Sequence, residues 1–230
     1  MIKEHASLVY RPKLPFMKNV YYNNYIPFTL EYRQIFDIEM GRDVFNWRIS
    51  KKREQYVSID AVHIHPQFNE NTFDSDIALF HFATDVIMTD YIQPICLPVT
   101  RKDQALFQPG NIGVFSGWGA RKLNKKGRLR SVRKLHEVEV PLVSQVACQQ
   151  NHHKYVVTPN MFCAGRLDGQ GDACNGDSGG PLTVEDKATG RSVLLGIVSW
   201  GDPKCRIGKY GVYTKVQNYI KWINSHINTM

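Results

Sequence analysis

Residues Gly171 to Leu182 read Gly-Asp-Ala-Cys-Asn-Gly-Asp-Ser-Gly-Gly-Pro-Leu, and they decide the fold. Gly-Asp-Ser-Gly alone is compatible with an ordinary glycine-rich turn. The full run fits one chemistry better. A serine hydroxyl is a poor nucleophile, so an acyl-transfer site must expose it, deprotonate it and stabilise the oxyanion that follows. Glycines around Ser178 let the backbone turn tightly, with its amides pointing outward. The N–H groups of Gly176 and Ser178 then make an oxyanion hole, and Ser178 is the candidate nucleophile.

Outward from that run the chain gives short strands separated by turn signals, the pattern of a sandwich or barrel. The predicted strands are Tyr56–Ile64, Ile77–Phe82, Asn111–Ser116, Leu135–Pro141, Ser192–Trp200 and Gly211–Val216. Ser144 is a candidate N-cap for a short helix holding Cys148. Val216, Tyr219, Ile220, Ile223 and Ile227 repeat at helical spacing and predict a C-terminal helix with one apolar face. The first forty residues, including Tyr21-Tyr22-Asn23-Asn24-Tyr25, have no clear period and carry no recognisable motif.

The twelve-residue run resembles the defining segment of the chymotrypsin-like (trypsin-type) serine proteases. Other segments resemble that family in family order: Ser75-Asp76-Ile77-Ala78-Leu79, Tyr91 to Pro98, Gly117-Trp118-Gly119, Met161-Phe162-Cys163-Ala164-Gly165, Ser199-Trp200-Gly201 and Gly211-Val212-Tyr213-Thr214. The resemblance runs from residue 41 to 230, which leaves 1–40 as an atypical lead segment. It implies an all-β fold of two six-stranded antiparallel barrels with the site between them and a C-terminal helix. Here the first barrel is expected to be incomplete. It also implies Asp76 as the triad carboxylate and Asp177 as the partner of the N-terminal amine that zymogen cleavage releases.

By the same resemblance Asp172, six residues before Ser178, forms the floor of the primary substrate pocket. A carboxylate there favours arginine or lysine through a charge-assisted hydrogen bond. Ser199, Trp200, Gly201 and Gly211 match substrate-binding wall positions, where the glycines leave room for a long side chain. The pattern implies an extracellular, secreted endopeptidase that cleaves protein substrates after Arg or Lys.

Five cysteines stand at 96, 148, 163, 174 and 205. None form a Cys-x-x-Cys pair, and their wide spacing suits disulfides in an oxidising compartment. The resemblance implies Cys148–Cys163 and Cys174–Cys205, with Cys96 tying the domain to an upstream pro-segment or light chain. A further family bridge is missing, with Gly113 and Val184 at its place. That loss and the Met-Phe-Cys-Ala-Gly segment resemble the modular complement and clotting proteases more than digestive trypsin. Gly208-Lys209-Tyr210-Gly211 resembles their sodium-binding loop, so Na+ is the one cofactor implied. No metal-ligand set or organic cofactor motif is present in the sequence.

The net charge of +8 is confined to one place. Arg121, Lys122, Lys125, Lys126, Arg128, Arg130, Arg133 and Lys134 are eight bases with no acid among residues 121–134, and the remaining chain is balanced. One basic loop at the family's autolysis loop is not a nucleic-acid-binding surface. It reads either as a solvated loop or as a polyanion site. No apolar run approaches the roughly 18 residues of a membrane span, and Met1–Val20 lacks the apolar core of a signal peptide.

The departures from the family are equally specific. Its histidine lies in a Thr-Ala-Ala-His-Cys segment that this sequence lacks, and Phe16–Glu31, where it would fall, holds no histidine. His5 stands in the wrong context, and His63 and His65 are expected to face solvent. The Ile-Val-Gly-Gly start is also absent. The expectation is a chain truncated before its general base, inactive as it stands. The alternative is a non-catalytic homologue that keeps the pocket for binding or regulation.

Overall fold

The computed structural model describes residues 8–10, 37–40, 54–123, 129–131, 134–168, 176–202 and 208–227. In chain order the elements are β1 (Leu8–Tyr10), β2 (Asp37–Met40), β3 (Gln55–Ile64), β4 (Ala78–Phe82), α1 (Arg101–Ala105), β5 (Ile112–Gly117), β6 (Ala120–Leu123) and β7 (Leu129–Ser131). They continue as β8 (His136–Val143), α2 (Gln145–Asn151), β9 (Met161–Ala164), β10 (Pro181–Asp186), β11 (Arg191–Trp200) and β12 (Gly211–Lys215). A 3-10 turn, Val216–Tyr219, then leads into α3 (Ile220–Ile227).

Six strands close into an antiparallel barrel in the order β10-β11-β12-β9-β8-β5. Four more form an open sheet, β1-β4-β3-β2, where the family has its first barrel. Among the described residues the expected architecture is present: a closed barrel, a partial first sheet and a C-terminal helix. Two strands of the open sheet, β1 and β2, come from within the first forty residues.

Side-chain period explains the barrel. In β8 Glu137 and Glu139 face solvent, while Val140 and Leu142 enter the core, the period-two alternation of a half-buried strand. β11 differs, with Val193 to Ser199 buried without a break. It is covered on both faces: Val193, Leu195 and Val198 fill the barrel interior. Leu194 and Ile197 pack on the other side with Ile77, Leu79, Val216, Tyr219 and Ile223. That second cluster joins the open sheet, the barrel and α3, and Ile77 within it follows Asp76 directly.

Local signals fix the helices. Ser144 caps α2 by accepting from Ala147 N at 3.2 Å. Thr100 and Asp103 form a reciprocal capping box around α1, whose five residues are too short for a periodic signal. β9 was not predicted from pattern because all four residues are buried and no alternation marks it. Part of the basic segment forms the two-stranded ribbon β6–β7, where a loop is expected; residues 124–128, 132 and 133 lie outside the described residues.

The histidines beside Pro66 correct an expectation. His65 is only 9% exposed. Its ring stands edge-on to Tyr219 at 5.0 Å and to Trp222 at 4.9 Å. His63 is half-buried, 4.7 Å from the ring of His226. Both pack under the C-terminal helix instead of facing solvent, because α3 covers the end of β3. Burial pushes both imidazoles below their ordinary pKa.

Candidate active site

Asp76 sits at the entry to β4 and is 1% exposed. A buried carboxylate is stable only with hydrogen-bond donors around it. Ser199, at the end of β11, donates from Oγ to Asp76 Oδ2 at 2.7 Å. Thr214 Oγ1 donates to the main-chain oxygen of Asp76 at 2.9 Å. The approach is tight: Ile77 N donates to Ser75 O at 2.8 Å across the aspartate. Ser75 there takes a left-handed backbone with φ 56°, a conformation that costs a non-glycine residue roughly 1–2 kcal/mol. The packing of Ile77 below holds the turn in place.

The Ser178 turn is anchored to the same strand. Gly179 N donates to Val198 O, and Val198 N to Gly180 O, both at 2.9 Å. Gly176 and Gly179 flank the serine with φ of 100° and 83°, a region that favours glycine. Consecutive residues of β11 therefore hold the two candidate segments: Val198 binds the Ser178 turn and Ser199 binds Asp76.

Asp177 is 6% exposed and lies against the Gly117–Gly119 segment. Its Oδ1 accepts from Gly119 N at 2.7 Å. Glycine is required on both sides of that carboxylate. A Cβ at Gly117 would lie 2.1 Å from Asp177 Oδ1, and one at Gly119 would lie 2.2 Å from the carboxylate. The Gly117-Trp118-Gly119 segment thus forms a cradle for Asp177, a role not visible in its sequence.

The wall residues also come together. Trp200 pairs with Val212 across β11 and β12, and a Cβ on Gly201 would meet Gly211 Cα at 3.9 Å. A Cβ on Gly211 would instead meet the Tyr213 ring at 3.2 Å. The ring of His152 stands edge-on to Trp200 at 5.0 Å, and Tyr155 lies 5.6 Å from the same indole. His152 was missed by sequence reasoning, since a histidine at the end of a short helix gives no signal. Its Nε2 lies 2.9 Å from Tyr210 O. A carbonyl only accepts, so that nitrogen carries the proton. Burial holds His152 below its ordinary pKa, opposed by the Tyr210 bond and aided by nearby Lys209.

Cys148 and Cys163 form the expected disulfide, with Cα atoms 5.5 Å apart. Cys96 is partly buried and has no disulfide partner among the described residues. Asp172, Cys174 and Cys205 lie outside the described residues, as does His5. Among the described residues no cluster of His, Cys, Asp or Glu is arranged to hold a metal ion. Nor is any helix long and apolar enough to cross a membrane.

Comparison with known proteins agrees with this geometry. The Trypsin family pattern matches residues 41–223. The chain is 36% identical over 191 residues to human (Homo sapiens) Mannan-binding lectin serine protease 1, covering 82% of this chain and 26% of that protein. It is 38% identical over 185 residues to Vitamin K-dependent protein C of Oryctolagus cuniculus, covering 80% of this chain and 40% of that protein. The Mus musculus protein C is 40% identical over 172 residues, or 74% of this chain and 37% of that protein. The chain thus spans from about a quarter to two-fifths of the length of these relatives. With an acid and a serine turn held by one strand of a six-stranded barrel, and the family pattern running through both, the chain belongs to the trypsin family of chymotrypsin-like serine proteases.

Proposed function

We propose that this chain is the protease portion of an extracellular endopeptidase that cleaves protein substrates after arginine and lysine, and that residues 1–230 alone bind at the pocket without turning substrate over. The observation that carries the first half is the shared anchoring on β11, with the Ser178 turn on Val198 and Asp76 on Ser199. A base placed between them would take the hydroxyl proton as Ser178 attacks the carbonyl carbon. The same base would then return that proton to the leaving amine. Asp76 would orient that base and stabilise its charged form. The amides of Gly176 and Ser178 would receive the oxyanion, and Asp172 would select the cationic side chain.

The second half rests on the histidines. Phe16–Glu31 holds none. His63, His65, His81, His152 and His226 all have contacts elsewhere: with α3, Asp60, Tyr210 and Trp222. Without the base a serine loses most of its activation. Asp177 would normally meet a new N-terminal amine; here the Gly119 amide supports its carboxylate, which favours a retained binding pocket. We place a polyanion partner at the basic stretch 121–134 and an upstream segment at Cys96.

The experiment is a substrate comparison on a form that carries an Ala-Ala-His-Cys segment ahead of residue 41. It should hydrolyse Arg and Lys esters in strong preference to Phe esters, and Asp172→Ser should remove that preference. Equal cleavage of Phe and Arg esters would refute the pocket assignment.

A further inference from the structure

Two histidines of β3 lie under α3, and the surroundings of both favour the uncharged ring. His63 and His65 are two apart on the strand, so their side chains share a face. An imidazolium carries a donor on each ring nitrogen, whereas the neutral ring carries one donor and one acceptor. His63 Nε2 is buried with no hydrogen-bond partner among the described residues, so a proton placed there has no acceptor. His65 Nδ1 accepts from Gln67 N at 3.3 Å, and a proton on that nitrogen would abolish the bond. Either charge leaves a buried donor unsatisfied, which is costly.

The cover comes from α3. The His226 ring lies 4.7 Å from that of His63. Its Nδ1 lies 2.9 Å from Trp222 O; a carbonyl only accepts, so that nitrogen carries the proton and ties the ring to its own helix. Tyr219 and Trp222 stand edge-on to His65 at 5.0 and 4.9 Å. The other titratable groups around the pair are Asp60 on β3, His81 on β4, which bonds Asp60, and Asp74 ahead of β4. Burial lowers both imidazoles; His226 and His81 add to this at His63 against Asp60, and at His65 Asp74 opposes while His226 adds. With eight residues, α3 is too short to persist as a helix without packing. Through Ile223 it shares an apolar cluster with Ile77 and Leu79, so its seat also supports the turn at Asp76.

We propose that α3 is a proton-released clasp: when His63 and His65 take up protons in mild acid, the helix leaves β3, and the loss of its cover loosens the Asp76 turn. The undocked helix leaves both imidazoles in water, where they charge below about pH 6.5. The docked state resists that charge. Docking is therefore complete above this value and weakens as pH falls through it. For each histidine held neutral by docking, a fall from about pH 7.5 to 5.5 raises the open population about tenfold, and the pair raises it up to about a hundredfold.

The test is hydrogen–deuterium exchange of the 1–230 chain, read by mass spectrometry across that pH range and corrected for the intrinsic exchange rate. Local opening of a helix is seen this way apart from global unfolding. Protection of residues 220–227 should fall about tenfold to a hundredfold, protection of 74–80 should fall with it, and β8 and β9 should stay protected. His63→Gln and His65→Phe replace the rings by side chains that do not titrate. Each should flatten the pH dependence, and the double variant should remove it. If His65→Phe does not fold, His63→Gln carries the same reading. Protection of 220–227 that does not change with pH overturns the proposal, and so does an unaltered pH dependence in His63→Gln. Equal loss in α3, β8 and β9 is global unfolding and overturns it as well. Release of α3 with 74–80 still protected overturns it too, because the helix would not then hold the Asp76 turn.

Discussion

Ser199→Ala tests how the site is held together. The hydroxyl donates to Asp76 Oδ2 at 2.7 Å, and both residues are 1% exposed. Water therefore cannot replace the lost donor. A hydrogen bond to a buried charged group contributes about 1.5–3 kcal/mol. The Thr214 bond to the main-chain oxygen of Asp76 is left intact, so the expected loss is about 2 kcal/mol, in the middle of that range. For a chain of this size that lowers the melting temperature by about 4–8 °C. The assay is guanidinium unfolding followed by circular dichroism, with the m value checked so that a midpoint shift reports stability alone. Repeating the substitution in an Asp76→Asn background isolates the charge. A neutral amide costs less to leave short of a partner, and the penalty should fall to about 1 kcal/mol. A loss under about 0.5 kcal/mol, or the same loss in both backgrounds, would refute the account of Ser199 as support for a buried carboxylate.

Two further outcomes follow from charge. His63, His65 and His152 have folded-state pKa values below the ordinary 6.5, with burial the largest cause in each. Their contribution is fully present above that value. It is lost as pH falls beneath it, because the unfolded chain then takes up protons that the folded chain resists. The melting temperature should drop as pH falls below about 6.5, with a shallower slope in His65→Phe; a flat or rising profile would contradict the burial of these rings. The 121–134 segment should bind heparin with steep salt dependence. Elution unchanged after neutralising Arg128, Arg130 and Arg133 would remove it as the polyanion site.

What the sequence made legible follows from where each signal lives. Strands with one wet face, such as β8 with Glu137 and Glu139 outward, announce themselves through alternation, and the capped helix at Ser144 announces itself through its cap. Buried strands such as β9 do not, because burial on both faces erases the alternation. The Ser178 turn stood out by its glycine-rich run, whereas Asp76 and the wall positions were assigned from the family resemblance alone. Their supports were not legible. That Ser199 grips Asp76, that Gly119 carries the amide for Asp177, and that His152 braces two walls are facts of long-range contact. These pairs are separated by 123, 58 and 58 residues, and no local pattern encodes them. The solvent-facing assignment of His63 and His65 failed for the same reason, since the cover comes from a helix at the far end of the chain.

The central proposal is that this polypeptide keeps the nucleophile turn and the acid of a trypsin-family site without the base that drives it. On this proposal Asp76 does not substitute: its Oδ2 accepts from Ser199, and the family resemblance gives such an acid the role of orienting the histidine. Loss of a triad member leaves roughly 10³–10⁴-fold catalysis over water where the oxyanion hole is intact. The direct measurement is labelling of residues 1–230 with a fluorophosphonate probe, together with turnover of an Arg-amide substrate. The account predicts substoichiometric labelling and no turnover above that residual level. Stoichiometric labelling of Ser178 with turnover near that of trypsin would contradict it, and would mean that a histidine of this chain, His5 first among them, reaches the serine.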